Sequence, residues 1–111
     1  MARPLNVLIL EDRPADALLM LHELRRAGFD PVWRRVETEA DYLAHLHASL
    51  DVILADYALP QFDALRALQL LQEHGWDTPF IIVSGNIGEE LAASAMRQGA
   101  ADYLLKDRMA R

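Results

Sequence analysis

The alternation of apolar and polar segments along the chain predicts five strands. Five apolar runs are too short for a helix and are bounded by polar or turn residues, which is typical of strands. These runs lie at residues 5–10, 31–36, 52–55, 80–83 and 101–105. The runs at residues 5–10 and 52–55 are the ones that fit buried strands of a parallel sheet. The second run is the least apolar, and its Arg34 and Arg35 indicate a strand at the edge of the sheet.

Apolar residues at helical spacing predict a helix between each strand and the next. The first helix begins at Pro14, because proline fits the first turn, and it ends before Gly28. Thr38 and Asp41 form a capping-box pattern at the start of the second helix. That helix should bury an apolar stripe made of Leu43, Leu46 and Leu50.

The third and fourth helices complete a regular alternation. Asp63 can cap the third, which spans residues 64–74, and the fourth is an Ala-rich segment at residues 89–98. Strands and helices therefore alternate through all 111 residues. This order predicts one α/β domain with a doubly wound, five-stranded parallel sheet and right-handed crossovers.

Such a sheet needs helices on both of its faces. Only five residues follow Lys106, so we expect the closing fifth helix to be truncated, with Asp107 at its cap position. Apolar side chains of the strands at residues 5–10 and 101–105 would then be uncovered on one face. Either further residues or a second copy of the chain should then cover this face. We expect further residues, so that the 111 residues are a fragment of a longer, multidomain protein.

Composition narrows the class of protein further. The net charge of −6 argues against a nucleic-acid-binding surface, and the lack of cysteine excludes disulfides and thiolate metal sites. No apolar run approaches the roughly 20 residues of a membrane span. The first apolar run leads directly into the charged EDRPAD segment, unlike a signal peptide. We expect a soluble, cytoplasmic domain that binds neither nucleic acid nor membrane.

Polar side chains suited to chemistry follow four of the predicted strands, namely Glu11, Asp12, Asp56, Ser84 and Lys106. Each one alone also fits an ordinary turn, helix start or surface ion pair. Because the carboxyl ends of parallel strands meet at one edge, all five should face a single crevice. Three carboxylates there would repel one another unless a cation joined them, and Mg²⁺ prefers such oxygen ligands. The lysine could balance charge or hold a phosphoryl oxygen.

These residues and their surroundings resemble the receiver domain of two-component response regulators. The resemblance extends over nearly the whole chain, through LNVLILED, DVILADYALP, PFIIVSG and GAADYLLK. It implies a flavodoxin-like sheet with the strand order 2-1-3-4-5. It also implies a signalling module rather than an enzyme.

The resemblance implies a phosphorylation site and a metal site that share one residue. Asp56 would accept the phosphoryl group. Glu11, Asp12 and Asp56 would bind Mg²⁺, together with the backbone carbonyl of Ala58. The phosphoryl donor would be a phosphohistidine on a sensor histidine kinase or on a phosphotransfer protein.

The resemblance also implies how the phosphoryl group is held and sensed. Ser84 and Lys106 would bind it, and Ser84 and Tyr103 would act as the switch that changes an output surface. The face formed by the fourth helix and the last strand would be that surface. The expected partners are an output domain in the same chain and, as a further assembly, a second copy in a homodimer.

The sequence departs from the family pattern at four positions. Ala64 replaces a common glycine, and Asp107 stands where a proline usually follows the lysine. Ala58 and Asn86 occupy positions that the family uses to tune dephosphorylation. These two residues affect the expected lifetime of the phosphoryl group rather than its formation.

Three other functions compete with a phosphorylated receiver. A flavin-binding module needs a phosphate loop with free N–H groups, whereas EDRPAD would repel a phosphate. A Mg²⁺-dependent HAD-like phosphatase normally carries a second aspartate where Ala58 stands. A receiver-like adaptor that is never phosphorylated would lack some of the polar residues at the strand ends, and none is lacking.

Overall fold

The computed structural model describes residues 2–85, 88–106 and 109, which form a five-stranded sheet and four helices. The strands are β1 (Arg3–Leu10), β2 (Phe29–Val36), β3 (Val52–Asp56), β4 (Phe80–Ser84) and β5 (Asp102–Leu105). The helices are α1 (Pro14–Arg26), α2 (Glu39–His45), α3 (Ala64–Glu73) and α4 (Glu89–Arg97). All neighbouring strands are parallel, and their order is β2-β1-β3-β4-β5.

This order confirms the predicted flavodoxin-like, doubly wound fold. β2 lies at the edge of the sheet, as Arg34 and Arg35 indicated. β3 lies at the centre, and all five of its residues are buried. The central strand therefore carries Asp56 to the middle of the sheet edge.

Side chains that alternate along the strands build two cores on opposite faces of the sheet. On one face, Leu8, Ile53 and Ile82 belong to a cluster that also contains residues of α2, α3 and α4. On the other face, Val7 and Leu54 belong to a cluster that includes one side of α1, represented by Ala17, Met20 and Leu21. Among the described elements, α1 is thus the helix that covers the second face.

The second helix differs from its predicted form. It ends at His45, so Leu46 and Leu50 are buried from the segment that follows the helix rather than from the helix itself. Leu43, predicted to face inward, is exposed, and Tyr42 is buried in its place. Thr38 does cap α2, because its side chain accepts a hydrogen bond from the backbone N–H of Asp41.

An apolar groove with a volume of about 650 Å³ runs beside α1 on the second face. Residues from α1, β3, β4 and β5 line it, among them Leu24, Leu54, Ile81 and Leu104. Met109 also lines the groove and is buried there. Within the described residues, no helix combines the length and apolar character that crossing a membrane would require.

Candidate functional site

Three carboxylates meet where β1 and β3 end. These strands are neighbours, with Leu10 opposite Ala55, so Glu11 and Asp12 follow β1 beside Asp56 at the end of β3. One oxygen from each carboxylate lies within 4.8 Å of the other two. The three acidic residues therefore lie together in the structure, as the sequence predicted.

Glu11 has no exposed surface, and both its backbone and its side chain form hydrogen bonds. Its backbone N–H donates to the carbonyl of Val36 at 3.1 Å, and its own carbonyl accepts from Nη1 of Arg35 at 3.1 Å. Its Oε2 atom accepts from the backbone N–H of Arg13 at 3.2 Å. Residues of β2 thus hold the backbone of Glu11, and the N–H of Arg13 holds its carboxylate.

Lys106 follows β5 and reaches across the acidic cluster. Its Nζ atom lies 2.8 Å from Oε1 of Glu11 and 3.4 Å from Oδ2 of Asp56. It also donates a hydrogen bond of 2.8 Å to Oδ2 of Asp16. One ammonium group therefore contacts carboxylates from β3, from α1 and from the turn after β1.

The crowding of these groups shifts two pKa values. Burial raises the pKa of Glu11 to about 7, and the charge of Asp56 adds to the rise, while the contact with Lys106 opposes it. Burial alone lowers the pKa of Lys106, but its contacts with Asp16, Glu11 and Asp56 outweigh that effect and raise it. Lys106 is thus a permanent cation at neutral pH.

Asp56 is buried, with 5% of its surface exposed. Its Oδ1 atom accepts from the backbone N–H of Ala58 at 3.3 Å, and its Oδ2 atom faces Lys106. The chain turns sharply after it, where the N–H of Tyr57 donates to the carbonyl of Val83 at 3.0 Å. The carboxylate is consequently fixed in direction at the tip of the central strand.

The residues fit a bound divalent cation. Oε1 of Glu11 is fully buried and lies 2.8 Å from the ammonium group of Lys106, so this oxygen already faces one positive charge. A carboxylate oxygen keeps further lone pairs after one such contact, so the same atom can also face a metal ion. With Asp12 and Asp56 beside it, the site offers the all-oxygen donor set that Mg²⁺ prefers.

The structure places the other predicted site residues on adjacent strands. Ser84 ends β4, next to β3, and is buried, and it pairs in register with Leu105. Tyr103 lies on β5 opposite Ile82 and lines the apolar groove. Asn86 and Asp107 lie outside the described residues.

Asp16 is a site residue that the sequence analysis missed. It lies in the first turn of α1, and its side chain is 23% exposed. Its partner, Lys106, is 90 positions away in the sequence. Its position in EDRPAD could have indicated this role, because it lies four residues after Asp12 on a helix that starts at the same edge of the sheet.

Comparison with known proteins identifies the family of this chain and relatives with the same fold. The family model described as the response regulator receiver domain matches residues 7–111. Two-component system protein A of Emericella nidulans is 30% identical over 91% of this chain and 15% of its own length. Regulatory protein AtoC of Escherichia coli is 38% identical over 56% of this chain and 14% of its own length. The chain thus spans about one seventh of the length of these relatives.

A solved structure shares the same fold. The signal receiver domain of the putative response regulator NarL from Mycobacterium tuberculosis superposes with a TM-score of 0.79 and 23% identity. The match covers 96% of this chain and 87% of that one. At 23% identity this similarity supports the fold alone. The evidence for a functional site is the cluster of Glu11, Asp12 and Asp56 in this chain.

Proposed function

Because this chain belongs to the response regulator receiver domain family, we propose that it accepts a phosphoryl group on Asp56 and thereby switches a signalling surface. The observation that carries the proposal is the position of the Asp56 carboxylate. It lies at the tip of the central strand, within 4.8 Å of two other carboxylates and 3.4 Å from the ammonium group of Lys106.

The proposed reaction is transfer from a phosphohistidine on a sensor histidine kinase or a phosphotransfer protein. A carboxylate oxygen of Asp56 attacks phosphorus, and the new O–P bond forms as the N–P bond breaks. The bonding electron pair goes to the imidazole nitrogen of the donor, which then takes up a proton. The acyl phosphate that results remains on Asp56 until water removes it.

Positioning and charge neutralisation provide most of the catalysis in phosphoryl transfer. Lys106 supplies a permanent positive charge beside Asp56. Mg²⁺, held by Glu11, Asp12, Asp56 and the carbonyl of Ala58, would supply further positive charge to the phosphoryl oxygens. Ser84, buried at the end of the adjacent strand, would donate a hydrogen bond from its hydroxyl group.

The proposed switch runs from Ser84 to Tyr103. Ser84 moves toward the phosphoryl group, and Tyr103 on β5 repacks in response, which alters the face made by α4 and β5. Leu91 and Met96 on α4 and Leu104 on β5 are exposed apolar residues and would belong to this surface. Such residues suit contact with an output domain or a second copy of the chain.

We also propose that this receiver works as one domain of a longer, cytoplasmic multidomain protein. The relatives named above are about seven times longer than the segment that matches this chain. An output domain in the same polypeptide would receive the change at α4 and β5.

Incubation with acetyl phosphate and Mg²⁺, followed by intact mass spectrometry, tests the proposal. We expect the wild-type chain to gain the mass of one phosphoryl group and Asp56→Asn to gain none. Asp63→Asn is a matched control, because Asp63 caps α3 through a hydrogen bond to Leu65 outside the acidic cluster. An undiminished gain in Asp56→Asn would reject the site, and turnover of phosphate esters without a stable adduct would favour a phosphatase.

A further inference from the structure

Asp16 accepts a hydrogen bond from the ammonium group of Lys106. The distance from Nζ to Oδ2 of Asp16 is 2.8 Å, equal to the distance to Oε1 of Glu11, whereas Oδ2 of Asp56 is 3.4 Å away. Both side chains of the Asp16–Lys106 pair are mostly buried, with 23% and 19% of their surface exposed. A pair of this kind is screened by salt less than a surface pair.

A phosphoryl group on Asp56 would need the same ammonium group. Lysine has three N–H donors, and the ammonium group here lies within 3.4 Å of carboxylate oxygens of Asp16, Glu11 and Asp56. The phosphoryl oxygens are strong acceptors that carry additional negative charge. Each contact that Lys106 keeps with Asp16 therefore weakens its contact with the phosphoryl group.

Asp16 also changes the charge of the site. Glu11, Asp12 and Asp56 form the metal cluster, and Asp16 adds a fourth carboxylate that shares the same lysine. Lys106 is the only lysine in the sequence, so no other ammonium group can replace it. The added negative charge favours a cation and opposes an anionic phosphoryl group at the same place.

We propose that Asp16 is a positioning residue that restrains the phosphorylated state by holding Lys106 away from the phosphoryl group, an inference that rests on the function proposed above. Asp16 and the phosphoryl group compete for one cation. The strength of the Asp16–Lys106 pair then sets how readily the site accepts and keeps its phosphoryl group.

The substitution Asp16→Asn separates this role from a general role in folding. It keeps the shape of the side chain and removes its charge. We expect Mg²⁺ to bind more weakly, because one negative charge is lost. With saturating Mg²⁺, we expect the phosphoryl analogue BeF₃⁻ to bind about threefold to tenfold more tightly. A folding defect would instead weaken both ligands together.

The experiment is a pair of titrations on the 111-residue chain, first with Mg²⁺ and then with BeF₃⁻ at saturating Mg²⁺. Because Lys106 is the only lysine, labelling with lysine that carries ¹³C at Cε gives one NMR signal, from the carbon bonded to the ammonium nitrogen. We expect that signal to shift on Asp16→Asn before any ligand is added. BeF₃⁻ should then shift it at a lower concentration than in the wild type.

Two variants serve as controls. Asp16→Glu keeps the charge, so its affinity for BeF₃⁻ should stay close to that of the wild type. Asp30→Asn makes the same change in net charge at an exposed position on β2, opposite Pro4 at the start of β1 and so at the far end of the sheet. We expect it to change neither titration.

The possible outcomes distinguish this inference from the proposed function. If wild type binds BeF₃⁻ and Asp16→Asn binds it no more tightly, the restraint is rejected and the phospho-acceptor function stands. If neither protein binds BeF₃⁻ or becomes phosphorylated, both proposals fail. A response in Asp16→Asn that is stronger than in wild type, or present only in the variant, supports the restraint.

Discussion

Nζ of Lys106 lies 2.8 Å from Oε1 of Glu11, although these residues follow strands at separate positions in the sheet. β3 and β4 lie between β1 and β5, so the lysine side chain reaches over the tip of the central strand to make this contact. Asp56 lies on that tip, and its Oδ2 atom is 3.4 Å from Nζ of Lys106. The contacts of Lys106 consequently connect the carboxyl ends of β1, β3 and β5.

Replacing Lys106 with methionine should destabilise the metal-free domain. The variant keeps most of the apolar stem but leaves the buried carboxylate of Glu11 without its cation. We expect the free energy of unfolding to fall by about 1–3 kcal/mol, below the usual cost of breaking a fully buried pair because Lys106 is partly exposed. Urea denaturation without divalent cations measures this loss.

The surface pair of Arg26 and Glu23 provides the comparison for that experiment. Its side chains are 60% and 35% exposed, so Arg26→Met should change the free energy of unfolding by less than about 0.5 kcal/mol. Mg²⁺ should also recover more stability in Lys106→Met than in Arg26→Met, since it restores positive charge beside Glu11. Equal losses in the two variants would show that the contact between Lys106 and Glu11 contributes little.

Removing one carboxylate from the cluster should affect metal binding and stability in opposite directions. Asp12→Asn removes a half-buried charge beside Glu11 and Asp56. We expect Mg²⁺ affinity to fall at least about tenfold, whereas the metal-free domain should be as stable as wild type or up to about 1 kcal/mol more stable. Calorimetric titration and thermal unfolding measure the two effects.

An exposed aspartate just before β4, at the other end of the sheet, gives the control for this charge change. Asp77→Asn alters net charge equally but lies away from the cluster, so it should leave Mg²⁺ affinity unchanged. Equal affinities of wild type and Asp12→Asn for Mg²⁺ would contradict the proposed metal site.

Formation of the BeF₃⁻ complex should change the environment of α4 and β5 most strongly outside the site itself. The reason is the proposed path from Ser84 to Tyr103, which lies on the strands next to α4. Backbone amide shifts in two-dimensional NMR spectra measure the change residue by residue. In Ser84→Ala, which removes the hydroxyl group, the shifts in α4 and β5 should be much smaller. Shifts limited to α1 and α2 would place the output surface elsewhere.

A buried hydrogen bond outside the site should affect stability and leave phosphorylation unchanged. The hydroxyl group of Tyr42 donates to the carbonyl of Ala67 at 2.8 Å and has no exposed surface. Tyr42→Phe should therefore lower the free energy of unfolding by about 1 kcal/mol, measured by urea denaturation. Affinity for BeF₃⁻ should match that of wild type, and a large change in affinity would mean that α2 and α3 are coupled to the site.

Sequence patterns could predict the features that depend on neighbouring residues in the chain. Short apolar runs predicted all five strands, and the residues that follow them predicted the carboxylates that the structure brings together. The error at Leu43 arose because α2 ends at His45, so a longer helical stripe placed the wrong side chain inward. Asp16 was not predicted as a site residue, because its role depends on an ion pair with Lys106. A sequence pattern does not show that two residues 90 positions apart are in contact.

The apolar groove beside α1 provides the last prediction. Its lining includes Met20 and Leu54, and Leu104 is 42% exposed at its side. Met109 packs among these side chains and also lines the groove. We propose that an amphipathic helix in a chain extended beyond Arg111 covers this face. The extended form should unfold at a temperature several degrees higher and bind less of a hydrophobic dye, because the apolar lining becomes buried. In sedimentation experiments, the extended form should be monomeric, whereas the 111-residue form should self-associate. A 111-residue form that stays monomeric, with the same dye binding and unfolding temperature as the extended form, would refute the idea.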